Sequence, residues 1–336
     1  MRTLVVFPAF VLAVLLGFYP MTANTQVSKE SPINEKDVAY IKEFLTQELR
    51  RATLLSKVTA EHADGAARCI VHLGMIHPSD DAEKGMDKNM QEMRDEIKKL
   101  RAKAKVKTDK ETEAALKLAE AVMKFMELTR KRLGERRESA RKDCIAILGR
   151  LHDNHEVREV FCEGVTAHSE ALLQKQVDGF MYALDARTKI AALFKKEKQS
   201  PDQEKELATL KKFVTAWEEY WKTQSQHNKD VIAFYAPMTL NRKIRLRAAE
   251  SRELNDRIFK LTEKERKDPK IEKKVIFEDR EDFAVLQMMT KTKQRIVPIL
   301  FGAAHDFSDN VAAFNKTSPR KVSHSRVLPF ATLFPF

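Results

Sequence analysis

Cysteine, glycine and membrane-length apolar runs are all scarce in this chain, and each scarcity removes a class of protein. The three cysteines, Cys69, Cys144 and Cys162, are too few and odd in number for a disulfide framework, so the fold does not depend on bridges. No glycine interrupts the stretch between Gly179 and Gly302, where Pro201, Pro237 and Pro269 punctuate long helical patterns, and this predicts mostly helix there. No G-x-S-x-G elbow is present, which argues against a serine hydrolase. No H-x-x-x-H pair with a Glu occurs, so the helical zinc-protease pattern is absent. The terminal Phe336 resembles the end of an outer-membrane barrel, but repeated alternating ten-residue segments are lacking and Pro319, Pro329 and Pro335 oppose strands. Residues 317–336 therefore read as an irregular C-terminal tail.

The one strongly apolar stretch is at the N-terminus. Met1 to Ala23 carry a basic start at Arg2, an apolar run from Leu4 to Tyr19 interrupted by Pro8, and then Met21-Thr22-Ala23 before a polar segment. This is the pattern of a secretory signal peptide over residues 1–23, and it predicts an extracytoplasmic protein, periplasmic or secreted. The run is shorter than the roughly 20 residues of a membrane span, and extending it to Ala23 leaves an uncleaved N-terminal anchor as the alternative. No cysteine follows it for lipid attachment.

With 336 residues and 43% hydrophobic content, the chain can bury a sizeable core, and we expect one elaborated α/β domain over residues 34–316. Its 61 basic and 49 acidic residues leave a formal charge of +12, interleaved along helical stretches as solvated faces would be. The densest basic run, Lys98, Lys99, Arg101, Lys103, Lys105 and Lys107, contains no aromatic to stack on bases, which disfavours nucleic acid. Attraction to an anionic membrane or cell-wall polymer is as good a use of the surplus.

Along the chain, Val38, Ile41, Leu45, Leu49, Leu54 and Val58 recur at helical spacing after a candidate N-cap, Asn34, predicting a helix over Lys36 to Glu61. Helical insertions are expected at about 82–142 and 180–275. The first contains a stripe of Leu116, Ala119, Met123, Met126 and Leu133, which reads as core packing. A further helix over Ala140 to Leu151 leads into a strand. Trp217 and Trp221 fit the helical period of Leu207, Leu210 and Val214 and read as packing anchors.

Three short runs rich in β-branched and aromatic residues stand out: Cys69 to Gly74, Val157 to Cys162 and Ile296 to Phe301. Two of them lead into Gly-x-x-His, as Gly74-Met75-Ile76-His77 and Gly302-Ala303-Ala304-His305, and the third ends at Glu163-Gly164. Loops leaving the carboxyl ends of parallel strands converge on one crevice, so groups remote in sequence can meet there. Two neutral imidazoles and a carboxylate are a suitable donor set for a divalent transition metal such as Mn, Co, Zn or Fe, with a position left for water. His77, His305 and Glu163 are the candidate ligands, and Glu163 is also a candidate base. The glycines are expected to let the backbone turn off each strand end. A single Gly-x-x-His is weak, because a histidine at a strand end is more often a hydrogen-bonded structural residue, and Glu163 alone reads equally as a capping carboxylate. Cys162 as a nucleophile is disfavoured, since the adjacent carboxylate would raise a thiol pKa.

Taken together, His72-Leu73-Gly74-Met75-Ile76-His77-Pro78, Val160-Phe161-Cys162-Glu163-Gly164 and Ile299-Leu300-Phe301-Gly302-Ala303-Ala304-His305 resemble the TraB/Tiki group of the erythromycin-esterase/ChaN-like superfamily. The resemblance covers roughly sixty residues around these motifs. It implies a mostly parallel central sheet flanked by helices, of the EreA/ChaN-like type. For the Tiki branch it implies a metal-dependent hydrolase, a peptidase, acting on a peptide or small-molecule substrate. Arg280 would then stabilise a developing oxyanion, with His77, His305 and Glu163 on the metal. For ChaN-like members it implies haem or iron binding without turnover. The long charged insertion between His77 and Glu163 departs from the pattern and keeps open a third reading, an inactive helical scaffold that recruits partners.

Overall fold

A computed structural model describes residues 34–52, 56–76, 80–106, 110–195 and 199–329. The candidate signal peptide, residues 1–23, lies outside them. The domain is α/β: a six-stranded mixed sheet, mostly parallel, flanked by helices.

The chain begins with α1 (Glu35–Glu43), capped by the Asn34 side chain, which accepts from the Lys36 N–H. A π-helical segment, Phe44–Glu48, and a short turn follow. The predicted helix does not continue to Glu61. Ser56–Glu61 is instead strand β1, antiparallel to the last strand. Cys69–Met75 forms β2, and two long helices, α2 (Asp80–Val106) and α3 (Lys110–His155), come next. The separate helix expected over Ala140 to Leu151 is the end of α3. Gly134 sits in its middle without breaking it, because a lone glycine costs only about 1 kcal/mol there.

Glu159–Thr166 is β3, followed by α4 (Ala167–Phe194), α5 (Pro201–Thr223) and α6 (Gln226–Tyr235). Trp217 packs against Gly179, where an added Cβ would lie 2.5 Å from the indole, and Trp221 lies 5.2 Å from Phe180. Both tryptophans are thus packing anchors. Arg245–Glu250 forms β4, a strand inside the stretch expected to be helical, and α7 (Arg252–Lys260) follows it. The sequence Arg-Leu-Arg-Ala-Ala-Glu carries little β propensity. Its pairing with β3 and the burial of Leu246, Ala248 and Ala249 place it in the sheet. Then come α8 (Asp279–Lys291), β5 (Ile296–Gly302), α9 (Ser308–Thr317) and β6 (Ser323–Pro329). The tail is therefore not irregular over Ser323–Pro329: β6 inserts between β1 and β2, with Pro329 at its end.

Strand order is β1-β6-β2-β5-β3-β4, and every pairing except β1 with β6 is parallel. The three strands that carry the sequence motifs, β2, β5 and β3, are thus contiguous. Both faces are covered, as parallel sheets require. Cys69, Val71 and Leu73 face one cluster with Phe44 of the π-helical segment, Leu148 of α3 and Ile232 of α6. Ile70, Phe161, Ile299 and Phe301 face the other cluster with Met288 of α8 and Phe307. Burying each such side chain stabilises the fold by about 1.5–3 kcal/mol, which explains why β2 and β5 read as unbroken apolar runs.

Candidate functional site

The carboxyl ends of β3, β4 and β5, together with the start of α8, bring Glu163, Glu250, Arg280, Glu281 and His305 together. The strands supply Glu163 and Glu250, α8 supplies the adjacent Arg280 and Glu281, and His305 stands three residues past the end of β5. Two of the three predicted metal ligands meet here: His305 Nε2 is 3.8 Å from Glu163 Oε1. The third, His77, lies outside the described residues.

Arg280 is the hub. Its Nη2 donates to Glu163 Oε1 at 2.6 Å and also to Glu250 Oε1, while Nε reaches Glu250 Oε1 at 3.1 Å. Nη1 stands 3.5 Å from His305 Nε2, and the guanidinium lies 5.2 Å from the centre of the Phe301 ring. Burial alone would lower the Arg280 pKa, but the Glu163 and Glu250 carboxylates outweigh it and raise it, so the group stays charged. The other Glu163 oxygen, Oε2, accepts from the Gly302 N–H at 2.6 Å.

His305 is 4% exposed and held from behind. Its Nδ1 donates to Glu281 Oε1 at 2.8 Å, and the same oxygen accepts from the Asp306 N–H at 3.2 Å. A carboxylate on Nδ1 fixes the ring orientation, leaving Nε2 directed toward Glu163 and Arg280. Phe301 and Phe277 pack on the ring, with centroids at 4.6 Å and 4.9 Å. They limit water on its flanks and strengthen the electrostatics within the cluster.

The glycines serve this arrangement in different ways. Gly164 was expected to turn the backbone off the strand end after Glu163 but lies within β3, where its φ of +76° falls at an irregularity in the β3–β4 register between Cys162 and Thr166. Gly74 was expected to turn the backbone but lies within β2. A Cβ there would sit 2.5 Å from Leu328 Cδ2 and 3.3 Å from the Ala303 backbone, so close packing is what excludes a side chain. The Glu163 carbonyl accepts from Tyr235 Oη at 2.5 Å, and burial, with Cys162, Glu163 and Glu250 nearby, raises the Tyr235 pKa. Cys162 is fully buried and burial pushes its thiol pKa up, which removes it as a nucleophile.

Glu250, Glu281 and Tyr235 were absent from the sequence-based set. Glu281 had a signal, its position next to Arg280. Glu250 had none, because β4 was not legible as a strand. A cavity of about 600 Å³ opens beside the cluster, lined by Phe277, Glu281, Asp282, Ala304 and Asp306 among others. A cavity of similar size, about 630 Å³, lies between α7 and the turns that follow it, but its polar groups are exposed and do not converge.

As a setting for a cation the cluster has a mixed character. Glu163 and Glu250 clasp the Arg280 guanidinium, a third carboxylate, Glu281, holds His305 Nδ1, and His305 Nε2 faces Glu163. Against this, Arg280 holds Glu163 Oε1 and stands close to Nε2. Among the described residues no group of three or more His, Cys, Asp or Glu side chains is arranged to hold a metal. No family model matches the chain, nor does any curated protein or solved structure.

Proposed function

We propose that the protein is an extracytoplasmic hydrolase of the TraB/Tiki group, with an EreA/ChaN-like fold, in which the His305 cluster activates water against a peptide or a related acyl bond. The observation that carries this reading is the Glu281–His305 pair at 2.8 Å with Nε2 left facing Glu163. A carboxylate-oriented imidazole is what either a metal ligand or a general base requires. In this reading Glu281 holds the proton on Nδ1, and Nε2 takes part in activating water. Arg280, kept charged by Glu163 and Glu250, stabilises negative charge developing on a carbonyl oxygen. Phe277 and Phe301 exclude bulk water and sharpen both effects. His305 and Glu163, with His77, would hold a divalent transition metal, which when bound lowers the pKa of its water toward neutrality.

The test is metal analysis of the purified full chain, followed by cleavage of a peptide library with Mn, Co, Zn or Fe added back. His305→Ala and Glu163→Ala should each reduce cleavage by about two orders of magnitude or more. Unchanged activity in both variants rejects the assignment. One observation favours a second reading, a structural ion-pair cluster in a scaffold protein: both Glu163 oxygens are already engaged, by Arg280 and by the Gly302 N–H. Under that reading no metal-restored cleavage appears in the parent chain, and Glu163→Ala changes stability alone.

A further inference from the structure

Helices α2 and α3 form an antiparallel pair whose shared core is Met90, Ile97, Ala119 and Met123. The inner half of α3 packs on the sheet through Ala140, Cys144, Ile147, Leu148 and Leu151, all buried. The outer half packs through Ala119 and Met123 on α2. On its opposite face Leu118 is 67% exposed, Val122 37%, Phe125 69% and Leu128 44%, and Ala114 and Ala121 are exposed between them. At 100° per residue these positions fall within an arc of about 120°, a continuous apolar stripe turned away from the protein's own core.

The charge beside this stripe is positive. Lys117, Lys124 and Lys131 recur every seventh residue along one edge, all exposed. At the end of α2, residues 98–106 contain five lysines and arginines and no acid, and Lys110 opens α3. Arg101, Lys117 and Lys131 have partners in Glu120, Glu113 and Glu135, which leaves Lys103, Lys105, Lys110 and Lys124 outside any ion pair among the described residues.

We propose that the outer face of α3 and the basic end of the α2–α3 hairpin bind an anionic lipid bilayer, with Leu118, Val122, Phe125 and Leu128 entering the headgroup boundary while the lysines meet lipid phosphates. A helix with an apolar arc edged by lysines lies in the plane of the interface, the lysine stems running along the apolar surface and their ammonium groups reaching the headgroups. The apolar arc selects a bilayer over a cell-wall polymer, which has no hydrocarbon phase to receive it. The lysine row opposes self-association: antiparallel pairing of two stripes about a twofold axis sets Lys117, Lys124 and Lys131 against their own copies. Among the described residues no helix is long and apolar enough to cross a membrane, so the contact is interfacial.

The test uses the full chain with vesicles of phosphatidylcholine alone or with phosphatidylglycerol added. Because residues 4–19 can themselves bind lipid, the stripe needs its own reporter. Phe125→Trp should blue-shift its emission with phosphatidylglycerol vesicles and be quenched by lipids brominated in their chains, relative to the unaltered chain with only Trp217 and Trp221. Leu118→Ser with Phe125→Ser, and separately Lys103→Glu with Lys105→Glu, should each weaken co-sedimentation at least about tenfold. An unshifted, unquenched Trp at position 125 overturns the proposal, as does equal binding by parent and variants. So does a concentration-dependent dimer that the serine variant abolishes in the absence of any vesicle binding.

Discussion

Two histidines buried beneath Phe307 should make the fold sensitive to mild acid. His72, in β2, is fully buried; its Nε2 donates to the Phe301 carbonyl at 3.3 Å, while Nδ1 has no partner among the described residues. His324, in β6, is 2% exposed and its Nε2 likewise has no partner among the described residues. Burial, reinforced for His72 by His324, lowers their pKa values from 6.5 to about 3 for His72 and about 4 for His324. In the unfolded chain both would protonate near 6.5, so between about pH 7 and pH 4 the unfolded state binds more protons, and stability falls as pH falls. At about pH 5 each site contributes about 2 kcal/mol to this loss relative to about pH 8, about 4 kcal/mol together, set against a total stability of 5–15 kcal/mol. Urea unfolding of the parent chain and of His324→Asn at the two pH values isolates the contribution, because any packing defect of the variant cancels in the difference. The variant should lose about 2 kcal/mol less than the parent on acidification. Equal losses in the two proteins would refute the reasoning, since His324 would then be either charged in the fold or already accessible.

Removing the hub cation should be costly: Arg280→Met leaves half-buried Glu163 and buried Glu250 without the cation they share and should destabilise by about 3–5 kcal/mol in urea, with the double variant Glu163→Gln, Arg280→Met costing less than the sum of the single changes. Glycine substitutions should split by backbone conformation. Gly164→Ala, at φ +76°, should cost about 1–2 kcal/mol, whereas Gly134→Ala, in the middle of α3 where the added Cβ meets nothing within 4 Å beyond its chain neighbours and the local helix backbone among the described residues, should stabilise by about 0.5–1 kcal/mol in the same assay. Cys69, Cys144 and Cys162, all buried, should react with a thiol reagent only at the rate of unfolding; rapid labelling of the native protein would show that the core opens locally.

The strands β2 and β5 were legible because a parallel strand covered on both faces is apolar at nearly every position, and Cys-Ile-Val-His-Leu, His72 excepted, and Ile-Val-Pro-Ile-Leu-Phe satisfy that without reference to anything distant. Glu163 and His305 were legible for a related reason: each sits at or just past the end of such a run, beside a glycine, and strand ends are where a parallel sheet gathers its loops. Strand β6, Ser-His-Ser-Arg-Val-Leu-Pro, carried no such mark. Its Ser323, His324 and Ser325 are buried only because β1 and β2 close on either side, and it is the backbone pairing of those neighbours that makes a polar segment a strand. The same holds for β4, and with it for Glu250. Local pattern by itself determined which segments could be core and which acids and imidazoles stood at their ends. Tertiary structure decided that an arginine one helix away would clasp Glu163 and Glu250 together, and that Glu281 would orient His305. Those partners are 24 to 117 residues apart in the chain, and Coulomb attraction between side chains leaves no periodicity in sequence.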